Sequence, residues 1–136
     1  MKKTILFFTI LLNIGVYAQE DNKVTWESGN FYSGAQNLES GKTVFERPEG
    51  KVREIVYDQF FKSYNISYYD KNGSIAYLEF LYVKDLENGT VIVKEETNGM
   101  FAVTNLIGKV GILLFMSMKK IDEENLLFLV FKKVGE

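Results

Sequence analysis

Ser63-Tyr64-Asn65-Ile66-Ser67-Tyr68-Tyr69-Asp70-Lys71-Asn72-Gly73-Ser74-Ile75-Ala76-Tyr77-Leu78-Glu79-Phe80-Leu81-Tyr82-Val83 reads as two β-forming runs around a turn. Tyr, Ile, Phe and Val favour extended backbone, and Asn-Gly supplies the positive φ that a tight reversal needs. Two registers compete. A two-residue Asn72-Gly73 loop pairs Lys71 with Ser74 and sets Ile66 opposite Glu79. A three-residue loop, Lys71-Asn72-Gly73, ends on a left-handed glycine and pairs Tyr68 with Ala76, Ile66 with Leu78 and Tyr64 with Phe80. That register gathers Tyr64, Ile66, Tyr68, Ala76, Leu78 and Phe80 on one face. The other face takes Ser63, Asn65, Ser67 and Glu79, along with Ile75, Tyr77 and Leu81. A slip of one residue would undo the segregation, so the three-residue loop is expected.

The same alternation of β-rich runs and turn signals continues on both sides of this hairpin. Gly29-Asn30, Ser40-Gly41, Glu49-Gly50, Asn88-Gly89 and Asn98-Gly99 punctuate segments rich in Val, Ile, Phe and Tyr. Many short strands joined this way predict an all-β fold, an antiparallel meander closing into a small barrel or sandwich. The single proline, Pro48, reads as part of a loop, Arg47-Pro48-Glu49-Gly50, that interrupts no strand. Residues 51–62 are the ambiguous stretch. Val52, Ile55, Val56 and Phe60 fall near helical spacing, yet Val52 to Tyr57 is also a good strand. Strand is the preferred reading. One short helix there would make the fold α+β.

The C-terminal third is apolar at both parities. Ile112, Leu114, Met116 and Met118 alternate with Leu113, Phe115 and Ser117, and Leu127, Leu129 and Phe131 alternate with Phe128 and Val130. A strand with one wet face should alternate apolar and polar residues. This hairpin is therefore either covered on both faces or presents an apolar patch to a partner. A buried helix over 106–118 is the rival reading, weakened by Gly108 and Gly111.

Residues 1–18 carry the pattern of a secretory signal peptide: Lys2 and Lys3, an apolar run, then Val16-Tyr17-Ala18. Cleavage after Ala18 leaves a single β-rich domain, 19–136. The apolar run is shorter than the roughly 20 residues a membrane-spanning helix needs. The expected location is outside a bacterial cytoplasm, periplasmic or secreted, with no stable membrane insertion after cleavage.

Composition then prunes the chemistry. The chain has no Cys and no His. Disulfides, thiolate nucleophiles, Ser-His-Asp catalysis and imidazole metal sites are excluded. Its net charge is −2, and loss of Lys2 and Lys3 makes it more acidic, which disfavours nucleic acid. Asp70-Lys71-Asn72-Gly73-Ser74 opens like a calcium loop, but the twelfth position holds Leu81 rather than glutamate. No metal or cofactor is expected. Carboxylates are the remaining route to catalysis. Glu46, Glu49, Glu54, Asp58, Glu79, Glu95 and Glu96 form no recognisable motif, and no catalytic residue is assigned. The protein is expected not to be an enzyme.

Aromatic residues make up 15% of the chain, with the tyrosines concentrated between Tyr57 and Tyr82. Such rings pack sheets, and they also line small-ligand pockets. The functional expectation is an exported binding domain holding a small apolar or aromatic molecule in a barrel-like pocket. Its wall would comprise Trp26, Tyr64, Ile66, Tyr68, Leu78 and Phe80. The alternative is a protein-interaction or structural module, such as a secreted subunit, an inhibitor or a homodimer, that uses the apolar C-terminal hairpin.

Overall fold

The structure is a computed structural model and describes residues 23–133. The predicted leader, residues 1–18, lies outside them. The strands are β1 (Lys23–Trp26), β2 (Gly29–Asn37), β3 (Thr43–Asp58), β4 (Ser63–Tyr69), β5 (Ile75–Asp85), β6 (Val91–Glu95), β7 (Gly99–Leu106), β8 (Ile112–Lys120) and β9 (Asn125–Lys132). A single helical turn, α1 (Ile107–Val110), joins β7 to β8. Strands hold 69% of the described residues and helix 4%, so the fold is all-β.

Every pairing is antiparallel, and consecutive strands from β2 to β9 are neighbours. β9 then pairs with β2, from Asn30 opposite Lys132 to Asn37 opposite Asn125, and this closes an eight-stranded barrel. β1 lies on the same edge of β3 that β2 occupies further along, with Trp26 opposite Ile55. Closure removes most of the sheet edge that an open meander would leave unpaired.

The β4–β5 hairpin has the register its sequence predicts: Tyr64 opposite Phe80, Ile66 opposite Leu78 and Tyr68 opposite Ala76. Its turn shows the mechanism. The Asp70 N–H donates to the Ser74 carbonyl at 2.8 Å, and the Gly73 N–H donates to the Asp70 carbonyl at 3.0 Å. Gly73 sits at φ 79°, where a side chain is disfavoured. The Asp70 carboxylate accepts from the N–H groups of Asn72 and Ser74, so its oxygens serve the turn. The Asn88-Gly89 turn, for which both loop lengths give mixed faces, repeats the three-residue design. Leu86 N–H donates to Thr90 O, and Gly89 lies at φ 83°.

Two readings need correction. Pro48 does not lie in a loop: it sits inside β3, opposite Tyr32, beside a bulge that leaves Glu49 out of register. A proline is tolerated there because β4 pairs with β3 only from Lys51 onward, so among the described residues no strand pairs with 43–49 on that side. Glu49-Gly50 is likewise strand rather than turn. The preferred reading of the ambiguous stretch holds: residues 51–58 are strand. Among the described residues the short helix is Ile107–Val110, stopped by Gly111 at φ 72°. The apolar 106–118 segment contributes this single turn and then continues as β8.

The inward parity of each strand builds the core. Phe80, Phe101, Phe115 and Phe131 are fully buried, together with Ile55, Ile66 and Leu113. Full burial of each such side chain is worth about 1.5–3 kcal/mol relative to exposure.

Candidate functional site

All six residues expected to form a pocket wall lie on the inward face. Tyr64, Ile66 and Phe80 are buried within the core, and Trp26, Tyr68 and Leu78 are half-buried against it. The space they surround is occupied by Phe115, brought in by β8. Its ring stacks on Phe80 at 3.9 Å between centroids and meets Tyr64 edge-on at 5.3 Å. It also meets Phe131 at 5.8 Å and Phe101 at 6.4 Å. Phe31 stacks on Phe131 at 4.5 Å and touches Tyr68 at 4.8 Å. These separations are those of rings in direct contact. The Asn105 side-chain amide donates to the Tyr64 hydroxyl at 3.1 Å, giving the one polar atom of that ring a partner. Burial pushes the Tyr64 pKa up to about 12, opposed by the Asn105 hydrogen bond. Burial also raises Tyr68, helped by the negative charges of Glu49, Asp70 and Glu95.

The candidate carboxylates are spread over the barrel, and several have structural partners. Glu46 pairs with Lys132 at 2.7 Å, and Glu49 accepts from the Ser33 hydroxyl at 2.8 Å. Asp58 caps the β3–β4 turn through the N–H groups of Phe60 and Phe61. Glu95 accepts from the backbone and side chain of Asn98. Glu79 stands opposite Asn65 and points outward, as its register requires. Among the described residues no cluster of three or more carboxylates could hold a metal ion.

The outer surface is divided. Around β3 to β6 it carries Lys51, Arg53, Glu54, Glu79 and Lys94, with Ile75, Tyr77 and Leu81 exposed among them on β5. Around β7 to β9 it is apolar: Met100, then Leu114, Met116 and Met118, then Phe128 and Val130, on adjacent strands. Every methionine beyond Met1 is in this group. Met100 and Met118 protrude, 42% and 51% exposed. Between them and β2 lies a hollow of about 140 Å³ floored by Leu114, Met116, Phe128 and Val130, with Glu46 and Lys132 on its rim. Gly34 makes the hollow possible. It is paired with Phe128 across β2 and β9, and a Cβ there would run into the Phe128 ring and the Phe45 carbonyl oxygen. The ring therefore lies down over bare backbone. The sequence signal for this face was present in the double-parity apolar pattern of 112–118 and 126–131. The hollow was not legible, because it depends on β2 closing against β9. No protein-family model, no curated protein and no solved structure matches this chain.

Proposed function

We propose that the protein is an exported, non-enzymatic interaction module that pairs with a second copy of itself through the outer face of β7–β9. One observation carries the reading: the outer face of β7–β9 gathers six apolar side chains on adjacent strands, with Phe128 and Val130 buried at its floor, Leu114 and Met116 half-buried, and Met100 and Met118 exposed above them. Contiguous apolar patches beyond a few hundred Å² are typical of interaction surfaces.

The face is also self-complementary. It bears a hollow and, beside it, the flexible thioethers of Met100 and Met118, which suit irregular cavities. Two copies related by a two-fold axis would each insert a methionine into the other's hollow. The filled interior supports this over a ligand-binding barrel, since Phe115 occupies the place a small molecule would take. The outward charges on β3, β5 and β6 support a barrel outside the bilayer, because Lys or Arg facing lipid costs about 2–4 kcal/mol at mid-membrane.

The test is light scattering coupled to gel filtration over a concentration series. The expected mass rises from one chain to two. Met116→Lys keeps the mass of one chain at all concentrations, retains the β-sheet circular-dichroism spectrum, and loses any rise of Tm with protein concentration. A wild-type protein with the mass of one chain throughout overturns the proposal.

A further inference from the structure

A second surface, unconnected with the dimer face, is a notch in the barrel wall. β6 pairs with β5 only from Leu81 to Asp85, while β4 pairs with β5 along Ile75 to Phe80. On its β6 side, the segment Ile75–Phe80 therefore has no strand partner among the described residues. The hydrogen-bond parity is known. Asp70 N–H bonds to Ser74 O, so the ladder alternates from there and the pairs at 76, 78 and 80 exchange bonds with β4. The N–H and C=O groups of Ile75, Tyr77 and Glu79 are left pointing into the notch.

Two further observations show that this edge is open. Ala76 and Leu78 face inward but are only half-buried, whereas Phe80, one step down the same face, is fully buried. A hollow of about 390 Å³ lies beside the edge, lined by Glu79, Leu81, Lys94 and Glu96. Tyr77 stands on the outer side at 73% exposure.

We infer that the notch takes an extended, basic segment of a partner protein as an added strand on β5. Unpaired backbone groups in strand geometry are matched by another extended backbone. Alternate side chains of the incoming segment would cover Ala76 and Leu78 on the inside and pack beside Tyr77 on the outside. Glu79 and Glu96 outnumber Lys94 at the hollow, so a lysine or arginine on the segment is favoured. A second copy is disfavoured as occupant. Pairing about Tyr77 would bring another Glu79 into a site that is already acidic.

The probe is a short blocked peptide alternating lysine and valine, with a glutamate-valine peptide for comparison, and the readout is amide hydrogen exchange by NMR. In the free protein the amides of Ile75, Tyr77 and Glu79 exchange fast, while those of Ala76, Leu78 and Phe80 are protected. The lysine peptide slows the first three, and the glutamate peptide binds roughly tenfold more weakly. Tyr77→Pro removes an N–H that the β4 ladder does not use, and Glu79→Lys reverses the charge. Each weakens the lysine peptide by roughly tenfold. Should Tyr77→Pro not fold, Glu79→Lys alone decides. Four results overturn the inference: slow exchange at 75, 77 and 79 in the free protein, no slowing by either peptide, binding unaffected by the variants, or slowing that follows protein concentration alone, which would assign the edge to a second copy.

Discussion

Tyr64 shows how one side chain is tuned by its place in the barrel. The ring is buried between Tyr57, stacked at 4.6 Å, and Phe115, and its hydroxyl is held by Asn105. Ionising it would put a charge in the core, so its pKa rises from the ordinary 10.0 to about 12. The folded chain thus holds this proton more tightly than the unfolded chain does. The resulting stability is complete below pH 10 and is lost as pH rises from 10 to 12, a fall of about 2–3 kcal/mol. Tyr64→Phe should cost about 1 kcal/mol at pH 7, through the lost hydrogen bond, and should remove that alkaline fall. Urea unfolding at pH 7, 10 and 12 measures both effects. The sequence placed Tyr64 correctly on the inner face of its hairpin, but not the group opposite it. Phe115 comes from a strand fifty residues on, and local alternation carries no information about which ring meets which.

At the scale of elements, two glycines separate turn chemistry from packing. Gly73 has open space around it and is required only by its positive φ. Gly73→Ala should destabilise by about 1 kcal/mol. At Gly34 a Cβ meets the Phe128 ring and the Phe45 backbone, and backbone cannot yield as a side-chain tip can. Gly34→Ala should therefore cost several times more and displace Phe128, which thermal melts of the two variants compare directly. Asn-Gly at a turn is readable because the conformational demand is local. Gly34 carries no such mark, since its requirement arises from β9. Pro48 was misread for the same reason. A proline in β-rich sequence argues for a loop unless one knows that the neighbouring strand ends short of it, and β4 does.

For the whole molecule, closure is the decisive event. β9 is hydrogen-bonded on both sides, to β2 and to β8, and carries Leu129 and Phe131 into the core. Removing residues 125–136 should abolish the folded state rather than trim it, because β2 and β8 each lose a partner and the core is opened to water. Circular dichroism and a thermal melt test this, with a cooperative β transition in the full chain and none in the truncated one. β2 and β9 are far apart in sequence, so pairing them carries a large loop-closure cost before any contact rewards it.

By itself the sequence determined the hairpins, the meander order, the register of the central hairpin and the exclusion of Cys and His chemistry. These follow from side-chain alternation and turn conformations that act within a few residues. Only the tertiary structure decided that the aromatic face is filled by Phe115, that the outer side of the C-terminal hairpin is partly covered and floors a hollow, and that part of the β5 edge is left unpaired among the described residues. Those outcomes depend on which distant strands meet and at what stagger, and that is set by the closure of the barrel as a whole.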